Sequence, residues 1–307
     1  MGDNPNEPAG TKLIWCPYSG KDVPIDDATD EHIIPLSLGG HDAFKVPVYG
    51  KTNSDLGSKI DGALANEFHI SRARVKHDAR GHSGRAPEFR MKKVREQGTG
   101  RPLQVRWGKR LEVYDPIAGR YREDALTFEA EVKLDLHLRL RFLAKTFLSA
   151  GYRIYGDLFR RAVAHENARV LMRKPLHELT EAEKTSLEAK AFAWYHRDIP
   201  HEEQAEEFAV QESTCKVLQA TLLVFFLGRN CLNLYGGILG EYLGMLSIPA
   251  DTTDFPKTGR HDLGFITLVR NGELISGSYR VLLRRLFDSM PPEMRPAGPF
   301  KFPDDPP

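Results

Sequence analysis

Three short stretches between residues 30 and 61 hold residue types that do chemistry together. Asp30-Glu31-His32-Ile33-Ile34-Pro35 sets an acid directly before a histidine and ahead of two β-branched residues. On a strand, successive side chains point to opposite faces. Glu31 and His32 therefore face apart, so that one can ligate a metal while the other faces a substrate. Leu38-Gly39-Gly40 marks a turn. Asn53-Ser54-Asp55-Leu56-Gly57-Ser58-Lys59-Ile60-Asp61 opens a helix. Asn53 offers a neutral oxygen beside a helix N-terminus, which favours anions. Hard oxygen ligands with open positions suit Mg²⁺ or Mn²⁺.

The elements that must hold these residues follow from periodicity. Residues 12–15 read as a short strand, Cys16 to Lys21 as a turn cluster, and 23–25 as the returning strand. Residues 31–36 and 44–48 read as two more strands, the second confined to an edge by Pro47. Then the period changes: Leu56, Ile60, Leu64 and Phe68 recur every four residues, one apolar face of a helix. Asn53, Ser54 or Asp55 is expected to cap its start.

Further along, residues 70–124 are rich in Gly and Arg and read as irregular β structure. Residues 132–148 read as a helix with Leu134, Leu138, Phe142 and Leu143 on one face and Arg139, Arg141 and Lys145 elsewhere. Helices are also expected over 152–170, 181–195 and 279–287, with Thr180 and Glu183 forming a capping box. Residues 213–235 read as buried strands. Trp107, Tyr114 and Phe128 read as core aromatics rather than stacking platforms.

Charge is segregated along the chain. Residues 1–71 carry five basic and eleven acidic residues, a net of −6, and residues 72–122 carry fifteen basic and five acidic, a net of +10. Residues 133–174 carry ten basic and three acidic, a net of +7. An acidic head beside an Arg-dominated middle is the footprint of a cation site next to a polyanion surface. Arg72, Arg74, Lys76, Arg80, Arg85 and Arg90 are the candidate nucleic-acid contacts, because guanidinium forks match phosphate. His69, His77 and His82 read as phosphate contacts or exposed residues, and His41 as a surface residue.

The motifs Glu31-His32-Ile33-Ile34-Pro35, Leu38-Gly39-Gly40 and Asn53 with Gly57 and Ile60-Asp61 resemble those of the HNH endonuclease family. The resemblance is specific over residues 13–68. It implies an α+β fold with an N-terminal ββα-metal, treble-clef-like nuclease domain. It also implies metal-dependent hydrolysis of phosphodiester bonds in DNA, with RNA left open, giving 5′-phosphate and 3′-hydroxyl ends. In that reading His32 is the general base, Glu31 and Asn53 bind one divalent cation, and Asp61 helps hold the metal site or the helix. Many relatives bind a structural zinc through two Cys-x-x-Cys pairs. Here those positions read Cys16-Pro17-Tyr18-Ser19 and Tyr49-Gly50-Lys51-Thr52, and one thiolate makes no closed zinc site. No structural zinc is expected, and Trp15, Tyr18 and Tyr49 are expected to pack in its place. The Asn that orients the histidine in some relatives is missing, with Phe44 near its position, so a backbone carbonyl is the expected orienting group.

The 307 residues and three cysteines exclude a disulfide scaffold and fit a reducing, cytoplasmic setting. The longest apolar run, about 11 residues from 217 to 227, is too short to span a membrane. The expected layout is a disordered tail (1–11), the nuclease domain (12–71), a basic β-rich extension (72–131), a helical region (132–210), a mixed α/β C-terminal region (211–290) and a Pro-rich tail (291–307). Two alternatives stand beside the nuclease. One is a catalytically silent nucleic-acid-binding protein. The other is a regulated effector nuclease, as in bacterial defence, whose C-terminal half takes a protein partner or self-associates.

Overall fold

A computed structural model describes residues 12–123, 127–132, 134–190 and 201–289. The fold is α+β. Both terminal tails of the expected layout lie outside the described residues, as do residues 191–195 of the helix expected over 181–195.

The chain begins with two antiparallel hairpins. β1 (Leu13–Cys16) pairs with β2 (Lys21–Pro24), Cys16 opposite Lys21. β3 (Ala28–His32) pairs with β4 (Lys45–Tyr49), setting Glu31 opposite Val46 and His32 opposite Lys45. Pro47 lies opposite Asp30 in this two-stranded ribbon, where every strand is an edge and a missing N–H is tolerated. The strand expected over 31–36 is shifted toward the N-terminus. It ends at His32, because Pro35 starts a 3₁₀ turn at Leu36–Leu38.

The helix expected from the Leu56, Ile60, Leu64, Phe68 spacing forms in pieces. α1 (Gly50–Leu56) passes into a π-helical stretch (Gly57–Gly62) and then α2 (Ala63–Ala65). Leu56, Ile60 and Leu64 are all buried. Phe68 instead opens α3 (Phe68–Lys76), whose Ile70 N–H donates to the Glu67 side chain as N-cap. No side chain caps α1. Asn53, Ser54 and Asp55 lie inside it, and the Ser54 hydroxyl donates to the Gly50 carbonyl at 3.1 Å. The apolar repeat begins at Leu56, six residues after the helix starts at Gly50, so the pattern marked the start too late.

Residues 89–130 are more regular than expected. β5 (Phe89–Glu96), β6 (Pro102–Trp107), β7 (Leu111–Asp115), β8 (Arg120–Arg122) and β9 (Phe128–Ala130) form one antiparallel sheet in the order β8-β7-β6-β5-β9. Val94, Leu103, Val105 and Val113 are its small core. Trp107 is exposed and Tyr114 half-buried, so neither is the core aromatic the sequence suggested. Phe128 packs against that small core.

α4 (Leu136–Tyr155) runs through the middle of the molecule, and residues 141–150 are all buried. The expected split into an apolar face and a charged face fails, because protein covers both sides. Arg139 shows how: its guanidinium donates to Glu67 on one side and to the Tyr242 carbonyl on the other, at 3.1 and 3.0 Å. The helix expected over 152–170 breaks at Gly156, whose φ is +56°. α5 (Asp157–Ala162) and α6 (Glu166–Arg173) follow. α7 (Glu181–Lys190) starts with the expected capping box: Glu183 N–H donates to Thr180 Oγ1 and Thr180 N–H to Glu183 Oε2.

α8 (His201–Leu218) includes residues 213–218, which the sequence suggested were strand. The strands begin afterwards: β10 (Thr221–Leu227), β11 (Cys231–Ile238), β12 (Glu241–Pro249), β13 (Phe265–Arg270) and β14 (Glu273–Ser278), in the order β12-β11-β10-β13-β14, with α9 (Tyr279–Ser289) at the end. One apolar cluster runs continuously from Trp15 through Ile60 and Phe147 to Leu246 and Phe255. A second, with Cys215, Tyr235 and Tyr279, packs between α8, α9 and the sheet. Among the described residues no helix is long and apolar enough to cross a membrane.

Candidate active site

The strand alternation separates the two motif residues as the sequence implied. Thr29 and Glu31 share one face of β3, and His32 takes the other. Asn53 comes from the middle of α1, and its Nδ2 donates to Thr29 Oγ1 at 3.3 Å. This sets Asn53 against the face that carries Glu31. Its Oδ1 makes no hydrogen bond among the described residues.

Glu31 ends at a residue the sequence did not single out. Lys145 of α4 is fully buried, and its Nζ lies 2.5 Å from Glu31 Oε1 and 2.6 Å from Asp61 Oδ2. Asp61 comes from the π-helical stretch, a wider turn of a kind often found at functional sites. Burial opposes the Lys145 charge, but Tyr18, Asp61 and Glu31 outweigh it and hold its pKa above the ordinary lysine value. Burial raises the Asp61 pKa, Lys145 works against that shift, and Glu31 adds to it. Asp61 Oδ1 is buried without a hydrogen-bond partner. The sequence carried one signal for Lys145: it is the only charge in Phe142-Leu143-Ala144-Lys145-Thr146-Phe147-Leu148-Ser149-Ala150-Gly151.

On the other face, His32 Nε2 lies 3.0 Å from Asp42 Oδ1, and Asp42 is paired with Lys45 at 2.8 Å. Hydrogen bonds from Lys45 and then His32 hold the Asp42 carboxyl down to about 2. Being ionised, it accepts, so Nε2 carries the proton and Nδ1 is the basic nitrogen. Nδ1 has no partner among the described residues. The orienting group is thus a side chain, not the expected backbone carbonyl. The Phe44 carbonyl accepts from Ile33 N–H instead, at 3.1 Å. The His82 ring meets the His32 ring edge-on at 5.1 Å.

No family model, curated protein or solved structure matches this chain.

The glycine turn has a steric cause. A Cβ on Gly40 would lie 1.8 Å from the Ile34 carbonyl oxygen. Gly39 has φ +75° and sits against Leu239 and Thr221 of the C-terminal half. Thr221 Oγ1 donates to the Leu38 carbonyl at 2.9 Å. The loop that delivers Asp42 is therefore moored to the distant sheet.

At the first of the two Cys-x-x-Cys positions, Trp15, Cys16 and Tyr18 are buried, and Tyr49 packs against the same core. Tyr49 N–H donates to Cys16 Sγ at 3.3 Å. Two arginines of α6 grip the turn: Arg169 donates to the Pro17 carbonyl at 2.9 Å and Arg173 to the Tyr18 carbonyl at 2.6 Å. Arg160 and Arg169 also lie over the Trp15 ring.

The basic residues are placed unequally. Arg74 is half-buried and donates to the Ser37 and Ala65 carbonyls. Lys76 donates to Gln219, and Arg72 lies 3.7 Å from Glu241. Arg80 and Arg90 pair with Asp78 and Glu88. Arg85 is exposed.

Among the described residues no three His, Cys, Asp or Glu side chains form a metal cage. Mg²⁺ does not need one: it is held by one or two carboxylates and fills its remaining positions with water and phosphate oxygens. Two carboxyl groups, Glu31 and Asp61, face the single ammonium of Lys145, and with the Asn53 amide oxygen they make a donor set that fits one divalent cation.

Proposed function

We propose that this chain is a metal-dependent endonuclease of the HNH type, acting on DNA. The observation that carries the reading is the His32–Asp42 pair, set on the opposite face of the same strand from Glu31. The imidazole takes a proton from water through Nδ1 while Asp42 holds Nε2–H and stabilises the imidazolium. The water oxygen attacks phosphorus and the 3′ oxygen leaves. Glu31 and Asn53 would hold the divalent cation. When bound, Mg²⁺ or Mn²⁺ supplies charge stabilisation for the scissile phosphate and the leaving oxygen. Arg85 and the neighbouring basic residues meet the backbone phosphates. Cys16, Cys215 and Cys231 are free thiols, in keeping with a cytoplasmic setting.

The test is nicking of supercoiled plasmid with Mg²⁺, Mn²⁺ or EDTA. His32→Ala is expected to lower the rate by about 10²–10⁴. The Lys145 ion pairs favour a second reading, a nucleic-acid-binding unit that has lost cutting. Salt-sensitive DNA retention without nicking in any metal would select it.

A further inference from the structure

We propose that Lys145 is a positioning residue that acts as a resident cation: it holds the Glu31 carboxylate from behind and sets the charge of the metal site. This rests on the nuclease reading above. The geometry is specific. One ammonium, with no access to solvent, is shared between one oxygen of Glu31 and one of Asp61. It cannot reach a nucleic-acid phosphate, so it acts only through those carboxylates.

Two consequences follow for Glu31. First, its position is fixed. An ammonium pinning Oε1 leaves Oε2 as the ligand oxygen and removes the freedom that an unpaired glutamate side chain would have to give up on binding. Second, the charge presented to a divalent cation is −1 rather than −2. A site of lower charge binds its metal less tightly, so the substrate's phosphate charge becomes part of what holds the metal. Asp61 then acts as the counter-charge of Lys145, which explains an acid placed at the site but turned toward α4. A packing role alone would place no demand on the sum of these charges.

That difference gives the test. Mn²⁺ is titrated into the full chain without nucleic acid, and the paramagnetic resonance of the free ion reports binding. Lys145→Met frees both carboxylates and should tighten Mn²⁺ binding on the order of tenfold or more, because the Coulomb repulsion removed at such distances exceeds the side-chain freedom that Glu31 regains. Asp61→Asn leaves the ammonium facing one carboxylate and should weaken binding by about as much. The double variant Lys145→Met/Asp61→Asn restores a net charge of −1 and should return close to wild type. If Lys145→Met does not fold, the order of Asp61→Asn, wild type and the charge-balanced double variant still decides. Affinities that ignore charge order, or fall in every variant, overturn the role of Lys145 alone. Absence of Mn²⁺ binding in every protein, wild type included, overturns the metal site itself.

Discussion

His32 is held by Asp42, ten residues further along the chain, through a 3.0 Å contact from ring Nε2 to a carboxylate oxygen. Asp42 is itself exposed and anchored by Lys45. The pair matters because an imidazole fixed at one nitrogen presents the other in a single tautomer and direction. Asp42→Asn should lower the nicking rate by about 10–100-fold, the usual cost of losing a partner that orients a histidine. The melting temperature should stay put, since the substituted side chain is at the surface. A variant that nicks at the wild-type rate would remove Asp42 from the site.

Two glycines of the motif should behave oppositely. A Cβ at Gly40 collides with backbone, so Gly40→Ala should cost about 3 kcal/mol or more. At Gly57 a Cβ meets nothing within 4 Å, and φ is −56°. Gly57→Ala should add about 0.5–1 kcal/mol by removing freedom from the unfolded chain. Urea denaturation of both variants checks the pair.

The turn after Cys16 is held by guanidinium groups. Arg169→Ala leaves the Pro17 carbonyl without its donor and removes a cation from the Trp15 face. A loss of about 2–4 kcal/mol is expected. EDTA should leave the wild-type melting curve unmoved, which calorimetry with and without chelator would establish.

A fragment of residues 1–175 should fail to fold. α4 is buried through residues 141–150, and it packs against β11 and β12, which the fragment lacks. Circular dichroism of the purified fragment would show the loss. A fragment that melts cooperatively and nicks DNA would contradict the continuous core.

Stability should fall with acid below about pH 6.5, with His165 one contributor. Burial lowers its pKa, while the hydrogen bond to the Arg160 carbonyl works against that shift. The unfolded chain then binds the proton more readily than the folded one. Stability therefore rises with pH until the unfolded histidine has titrated, near 6.5. His165→Phe should flatten the slope of unfolding free energy between pH 5.5 and 7 relative to wild type.

Local pattern made much of this legible. Alternation separated Glu31 from His32, the four-residue repeat marked Leu56, Ile60 and Leu64, and Thr180 with Glu183 announced α7. What stayed hidden depends on distant chain. Lys145 reads as a surface lysine until β11 and β12 cover α4. Asp42 is one acid among many until the Leu38–Gly40 turn brings it back to His32. Residues 213–218 carry no local excess of polar groups, so the helix they complete looked like the strand that follows.

The burial of α4 also bears on when the site comes into being during synthesis. A ribosome that has passed residue 61 has made Glu31, His32, Asn53 and Asp61. The lysine that braces two of them is still 84 residues from Asp61, and the strands that pack on its helix, β11 and β12, are incomplete until Pro249 has emerged. A chain released early would carry every motif residue without the arrangement they form, so the ability to cut would arrive only with nearly the whole protein.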